Sequence, residues 1–277
     1  MLAFMLRRLV GLAATLAATA LIVFVVLEIL PGDPAAVMMG INATPETVAA
    51  VRAEYGLDQP AAVRFVQWMG GLVRGDLGNS YTYKVPISGL IAERAQVTLP
   101  LALMAVLLAS AFGIPVGIFA AARANTRWDA AVMALSQIGL AVPNFWFGIL
   151  LVLTFAVTLG WFPSGGFPGW TAGVWPAFQS LMLPALALAL PQGAIIARMT
   201  RSAVLEALQE DFVRTARAKG LSWRQTLTGH VLRNAMPPVV TILGLQFSVL
   251  MAGAIIIENV FSLPGLGRLM FQSIAQH

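Results

Sequence analysis

Residues 97–122 read VTLPLALMAVLLASAFGIPVGIFAAA, 26 residues without a charge. A bilayer core of about 30 Å takes roughly 20 apolar residues of helix, so this stretch is long enough to cross one. Its apolar residues do not alternate with polar ones, which argues against a barrel strand. Four more stretches pass the same test, at 9–30, 130–159, 179–197 and 237–257. The expected fold is an all-α integral membrane protein, a polytopic helical bundle forming a single transmembrane domain over 1–277. Residues 31–96 form an external region, too small to be a strong independent domain, and 198–236 form a cytoplasmic loop.

The composition fits this reading. Of 277 residues, 58% are hydrophobic and 10% charged, whereas soluble domains carry about a quarter charged residues. That excludes a disordered chain and almost any ordinary soluble enzyme. With no cysteine, a disulfide scaffold, thiol chemistry and a Cys-ligated metal are excluded too. Arg7 and Arg8 precede the first span, as in a signal peptide. Its 22-residue length and the lack of a clear small-x-small cleavage site favour a retained helix.

The charges give the orientation. Arg7 and Arg8 place the N-terminus in the cytoplasm, because cytoplasmic loops carry the excess of Lys and Arg. The spans then alternate, and eleven of the 17 basic residues fall on the cytoplasmic side: Arg7, Arg8, Arg123, Arg127, Arg198, Arg201, Arg214, Arg217, Lys219, Arg224 and Arg233. The net charge of +5 is thus an orientation signal and leaves no patch for nucleic acid. In the external region, Thr44-Pro45 reads as an N-cap followed by proline at the first helical position, and Gly56 closes that helix. The 160–178 loop is uncharged and rich in Trp, Pro and Gly, which suits a membrane interface.

The cytoplasmic loop is longer than a connector needs to be. Residues 206–238 read EALQEDFVRTARAKGLSWRQTLTGHVLRNAMPP. Residues 206–219 are good helix formers, with acids early and basic residues late. Gly220 follows as a left-handed C-terminal residue, and Ser222 and Gln225 have capping-box spacing for a second helix. The expected element is helix, Gly-Leu turn, helix, lying at the cytoplasmic surface. Physics alone leaves two readings open: a device passing force from a soluble partner into the spans, or an amphipathic helix on anionic headgroups.

The run from Glu210 to Leu221 resembles the coupling loop of ABC-importer permeases, above all the B-type subunit of the dipeptide/oligopeptide/nickel family. Ala216, Gly220 and Leu232 match the general importer pattern, and His230-Val231-Leu232-Arg233-Asn234-Ala235 matches the peptide branch. The similarity runs along nearly the whole chain. It includes Leu6-Arg7-Arg8-Leu9, Leu30-Pro31-Gly32-Asp33-Pro34, Tyr55-Gly56-Leu57-Asp58-Gln59-Pro60 and Gly75-Asp76-Leu77-Gly78-Asn79-Ser80. It continues through Val142-Pro143-Asn144-Phe145-Trp146 and the run from Glu258 to Gly267. Gln96 departs from the family, which shows proline there. The family also has a sixth span, whereas this chain stops at His277, so a truncated sequence is expected.

The resemblance implies the transmembrane pathway subunit of an ATP-driven importer for dipeptides, oligopeptides, nickel chelates or similar small solutes. It implies a second permease subunit as heterodimer partner, two cytoplasmic ATPase subunits and an external solute-binding protein, in a bacterial-type cytoplasmic (inner) membrane. Helix signals and resemblance together assign Glu210, Asp211, Arg214, Ala216, Arg217, Lys219 and Gly220 to the ATPase-docking surface. Pathway candidates are Asn144, Gln246 and Pro143, which breaks a helix hydrogen bond within a run too long for a straight span and is either a flexing point of the pathway or a packing kink. Asn144, Gln137, Gln192 and Gln246 otherwise serve helix–helix hydrogen bonding. Glu28 and Glu258 face the pathway mouth or the interface, and Gly113 and Gly117 form a G-x-x-x-G pair that admits another helix, here read as a partner subunit's. His230 and His277 make no metal site, and the sequence carries no Walker A run or G-x-S-x-G elbow. The chain is therefore expected to need no cofactor and not to be an enzyme. The rival readings are an ion-coupled secondary transporter, which needs intramembrane ionisable residues, and a non-transporting membrane scaffold.

Overall fold

The computed structural model describes residues 1–29, 33–39, 43–80 and 83–275. The Leu30, Pro31, Gly32 part of one family motif and His277 lie outside them. The described chain is helical and has no strand among these residues, only an isolated bridge between Asn79 and Pro86. It forms two compact units, Met1–Ala92 with Ser273–His277, and Glu93–Gln272.

The first unit begins with α1 (Leu2–Ile29), an apolar helix. Short helices α2 (Pro34–Met39) and α3 (Pro45–Glu54) and the amphipathic α4 (Ala61–Val73) follow. Thr44 caps α3, Pro45 opens the helix and Gly56 at φ +64° closes it, as the sequence predicts, and Thr47 completes a capping box with Thr44. Phe24 of α1 meets Phe65 edge-on at 5.2 Å and stacks on Trp68 at 6.3 Å, both on α4. Glu28, read above as a pathway or interface residue, pairs with Arg64 of α4 at 2.5 Å.

The second unit is built around α8 (Val174–Gln209). Against it pack α5 (Ile87–Ala122, which starts in the first unit), α6 (Arg127–Ala141), α7 (Asn144–Leu151, continuing as a π-helical segment to Thr158) and α11 (Leu232–Val260). One end of the core joins Leu101, Leu181, Leu188, Leu250, Ile257 and Phe261. The other joins Ala121, Val204, Ala207, Val213, Val231 and Val239. Helices α1, α5, α8 and the continuous run Trp223–Val260 are each long and apolar enough to cross a membrane, and a bent pair of α6 with α7 makes up to five.

Three findings sharpen the sequence reading. The stretch 130–159 is two helical segments meeting at 94°, which together are long and apolar enough for one bent span. Pro143 has no N–H to continue α6 and forces Val142 into extended backbone (φ −76°, ψ 121°), so α6 ends and Pro143 serves as N-cap of α7. The G-x-x-x-G pair serves the chain's own packing: Gly113 and Gly117 of α5 lie on the backbone of Gly193 and Ala197 in α8. The 160–178 loop does not offer all its aromatics to an interface. Phe162, Phe167 and Trp170 pack on the core, and Trp170 Nε1 donates to the Gln96 carbonyl at 3.0 Å, while Trp161 and Trp175 stay exposed.

Candidate functional site

The segment after α8 folds from local signals. The helix expected over 206–219 is in fact interrupted. The end of α8 runs to Gln209, Glu210 turns extended (φ −72°, ψ 148°), and a separate α9 covers Asp211–Ala218. Residues 198–209, counted above as loop, are thus the last turns of α8. Lys219 ends α9 and Gly220 takes φ +86°. The Gly220 N–H donates to Arg217 O at 3.0 Å and the Leu221 N–H to Ala216 O at 3.3 Å, the paired bonds of a Schellman cap. Ser222 and Gln225 then form the capping box of α10 (Trp223–Thr226). That second helix is not free-standing. It passes through a π-helical turn, Leu227–Val231, directly into α11.

Helix α9 is strongly two-faced. Val213 and Ala216 are buried, and with Phe212 they pack on Val204, Ala207 and Val231. The opposite face carries Asp211, Arg214, Arg217 and Lys219, which with Glu210 and Gly220 are exposed. Of the seven assigned docking residues, Ala216 alone is turned inward, at 5% exposure. Its small side chain lets α9 lie close on α8. The Arg214–Asp211 pair spans 3.3 Å with both side chains at least 80% exposed, so it contributes little and leaves both charges available. Arg217 Nη1 donates to Leu221 O at 3.0 Å and so stiffens the turn.

Of the pathway candidates, Pro143 and Asn144 sit at the 94° break. The crook of the bend holds a cavity of 430 Å³ lined by residues such as Phe112, Leu135, Phe147, Phe155 and Leu190. Its lining is apolar and so identifies no path for a polar solute. Gln246 of α11 donates its amide to Gln192 Oε1 of α8, the helix–helix hydrogen bond that polar side chains at membrane depth favour.

Two polar constellations were not legible in the sequence. Glu258 faces neither mouth nor interface. It is wholly buried, accepts from Thr98 Oγ1 at 2.5 Å and from the Arg268 N–H at 3.0 Å, while Thr98 Oγ1 accepts from the Leu266 N–H at 2.8 Å. Carboxylate and hydroxyl together cap the first turn of α12 (Leu266–Ala275), where the helix dipole also favours negative charge. At the other end of the unit, Asp129 of α6 accepts a forked pair of bonds from Arg201 of α8, Nε to Oδ1 at 2.5 Å and Nη2 to Oδ2 at 2.6 Å. The Asn125 N–H adds a third, at 3.0 Å, from a residue at φ +63°. The signal available for it was an acid in the first turn of a span among Arg123, Arg127 and Arg201, all of which had been counted only as orientation charges.

Residues 113–277 match the family described as binding-protein-dependent transport system inner membrane component, and residues 1–102 match the N-terminal family of the same membrane components. The chain belongs to this family. It is 44% identical to a putative peptide transport system permease protein of Brucella abortus (strain 2308), over 99% of this chain and 87% of that protein. It is 40% identical to a probable peptide ABC transporter permease protein of Sinorhizobium fredii, over 98% and 87%. It is 42% identical to the glutathione transport system permease protein GsiC of Salmonella choleraesuis, over 99% and 87%. An amino acid ABC transporter with histidines, whose structure is solved, shares 18% identity at a TM-score of 0.49, over 69% of this chain and 81% of that one. The protein is a multi-pass membrane permease, the transmembrane pathway subunit of an ABC importer.

Proposed function

We propose that this permease imports peptides or similar small solutes and that two cytoplasmic ATPase subunits dock on its exposed α9 face. The solute class follows from relatives named for peptide and glutathione transport. The docking assignment rests on one observation: α9 buries Val213 and Ala216 in its own chain and leaves Glu210, Asp211, Arg214, Arg217, Lys219 and Gly220 outward. Charged groups around a small-residue turn suit a specific, steered protein contact. A second permease subunit completes the pathway as a heterodimer, and an external binding protein delivers the solute. The N-terminus is cytoplasmic, because Arg7 and Arg8 precede the first span, and the family's description as an inner membrane component supports a bacterial-type inner membrane. ATP binding closes the ATPase pair and displaces α9, switching the pathway between inward- and outward-open states as a rigid-body transition.

The chain has no cysteine, so an introduced one is the only thiol of this chain to carry a label. Arg214→Cys carrying a photocrosslinker should couple to the ATPase subunit co-expressed with the permease, and Trp175→Cys in the 160–178 loop should not. Crosslinking from position 175 and none from 214 would overturn the assignment. Gly220→Val is a second test. A branched residue at φ +86° is strained by about 1–2 kcal/mol, which opens the Schellman turn. Uptake and stimulation of ATP hydrolysis are expected to fall to background while the permease still inserts. If both stay normal, the turn has no coupling role.

A further inference from the structure

We propose that the Asp129–Arg201 pair is a mechanical link that makes α6 follow the cytoplasmic end of α8 during the transport cycle. It is a positioning device, distinct from the docking surface. It rests on the α9 docking reading, because it concerns where the displacement goes next.

The displacement has a continuous path. The buried face of α9, Val213 and Ala216, lies on Val204 and Ala207 of α8. Arg201 is about one helical turn before Val204, so a push on α9 moves the turn that carries the guanidinium. That guanidinium grips Asp129, in the first turn of α6. From there α6 runs as one helix to the Pro143 break, where the segment changes direction by 94°. Force entering at α9 therefore has a direct route to the 94° bend.

The geometry suits a link that holds, not a latch that opens. Two parallel N–H bonds from a planar guanidinium fix distance and direction together, which a single ammonium contact does not. Asp129 is 4% exposed, and its carboxylate also takes the Asn125 N–H. Pulling Arg201 away would leave that charge buried without a counter-ion, a large penalty compared with moving α6 along. The two helix ends are thus cheaper to move together than apart.

The test measures α6 against α8 in the assembled importer, with one spin label at Ala131→Cys on α6 and one at Ser202→Cys on α8. Both positions are exposed. Distances are recorded without nucleotide and after trapping with ATP and vanadate. With Asp129 native, the distance is expected to stay the same in both states. In Asp129→Asn, which keeps the size and the Asn125 contact, it is expected to be native without nucleotide and to shift beyond the label's own spread on trapping. Arg201→Lys, which keeps the charge and loses the fork, should do the same. The link is overturned if the native distance itself changes on trapping. It is equally overturned if Asp129→Asn shows no shift, or is already displaced without nucleotide, which marks a purely structural pair. Failure of the docking reading shows separately, as loss of the Arg214 crosslink in a permease whose labels are normal.

Discussion

Replacing Glu258 with alanine is expected to destabilise the permease by about 3 kcal/mol, because the change leaves several buried groups without partners at once. The carboxylate lies wholly inside the second unit. Without it the Arg268 N–H loses its acceptor and the Thr98 hydroxyl its proton acceptor, and the Leu266 N–H keeps only a hydroxyl that is no longer held in place. A buried donor left unpaired costs about 1–3 kcal/mol, more where the lost partner was charged. Added to this is the hole left by the side chain. Thermal unfolding in mild detergent, followed by tryptophan fluorescence, should show a fall of roughly 5–10 °C.

Glu258→Gln sharpens the test. Its oxygen can accept from the Arg268 N–H, but its amide then points a donor at Thr98, which already accepts from Leu266. One hydroxyl proton is left over, so the expected loss is about 1 kcal/mol. Gly265→Ala should mimic the alanine variant from the other side, because a Cβ there would overlap the Glu258 carboxylate. If Glu258→Ala melts where the native protein does, the carboxylate does not hold the start of α12.

The residues that could be read in advance are those whose partners are close in sequence. The Thr44 cap, the Gly220 turn and the Ser222–Gln225 box each settle their geometry within about five residues, so composition and spacing were enough. Long apolar runs are legible for a similar reason, since a helix satisfies its own backbone in lipid. What escaped has its cause elsewhere in the chain. Glu258 and Thr98 are 160 positions apart, and Asp129 and Arg201 are 72 apart. Nothing near either acid says which distant side chain it will meet. Pro143 shows the boundary between the two cases. Its missing N–H made a break legible, but the 94° turn depends on what α6 and α7 pack against. The inward Ala216 is similar: the resemblance marks the position, while only the tertiary packing shows which way it faces.

Gly117→Leu is expected to be the most damaging substitution in the spans, and the reason lies in how membrane helices associate. Lipid is as apolar as leucine, so burial alone gives α5 little reason to pack on α8, and close backbone approach must supply the attraction. At Gly113 an added Cβ would stand 2.7 Å from the Gly193 carbonyl oxygen and 2.9 Å from Ile196 Cβ. At Gly117 it would sit still closer to the Ala197 oxygen, and 2.7 Å from Thr200 Cβ. Neither obstacle is the free end of a flexible side chain, so the helices must separate. Separation carries α8 away along the length that bears Arg201 and the seat of α9. Overpacking of this kind costs about 3 kcal/mol or more, and the yield of monodisperse permease in mild detergent should fall steeply. Gly193→Ala is the control. Its Cβ would meet Ala109 O at 3.5 Å, an ordinary contact, and the variant should be recovered at nearly the native yield. Equal loss from both substitutions, or normal recovery of Gly117→Leu, would mean that something other than close approach to α8 keeps these glycines in α5.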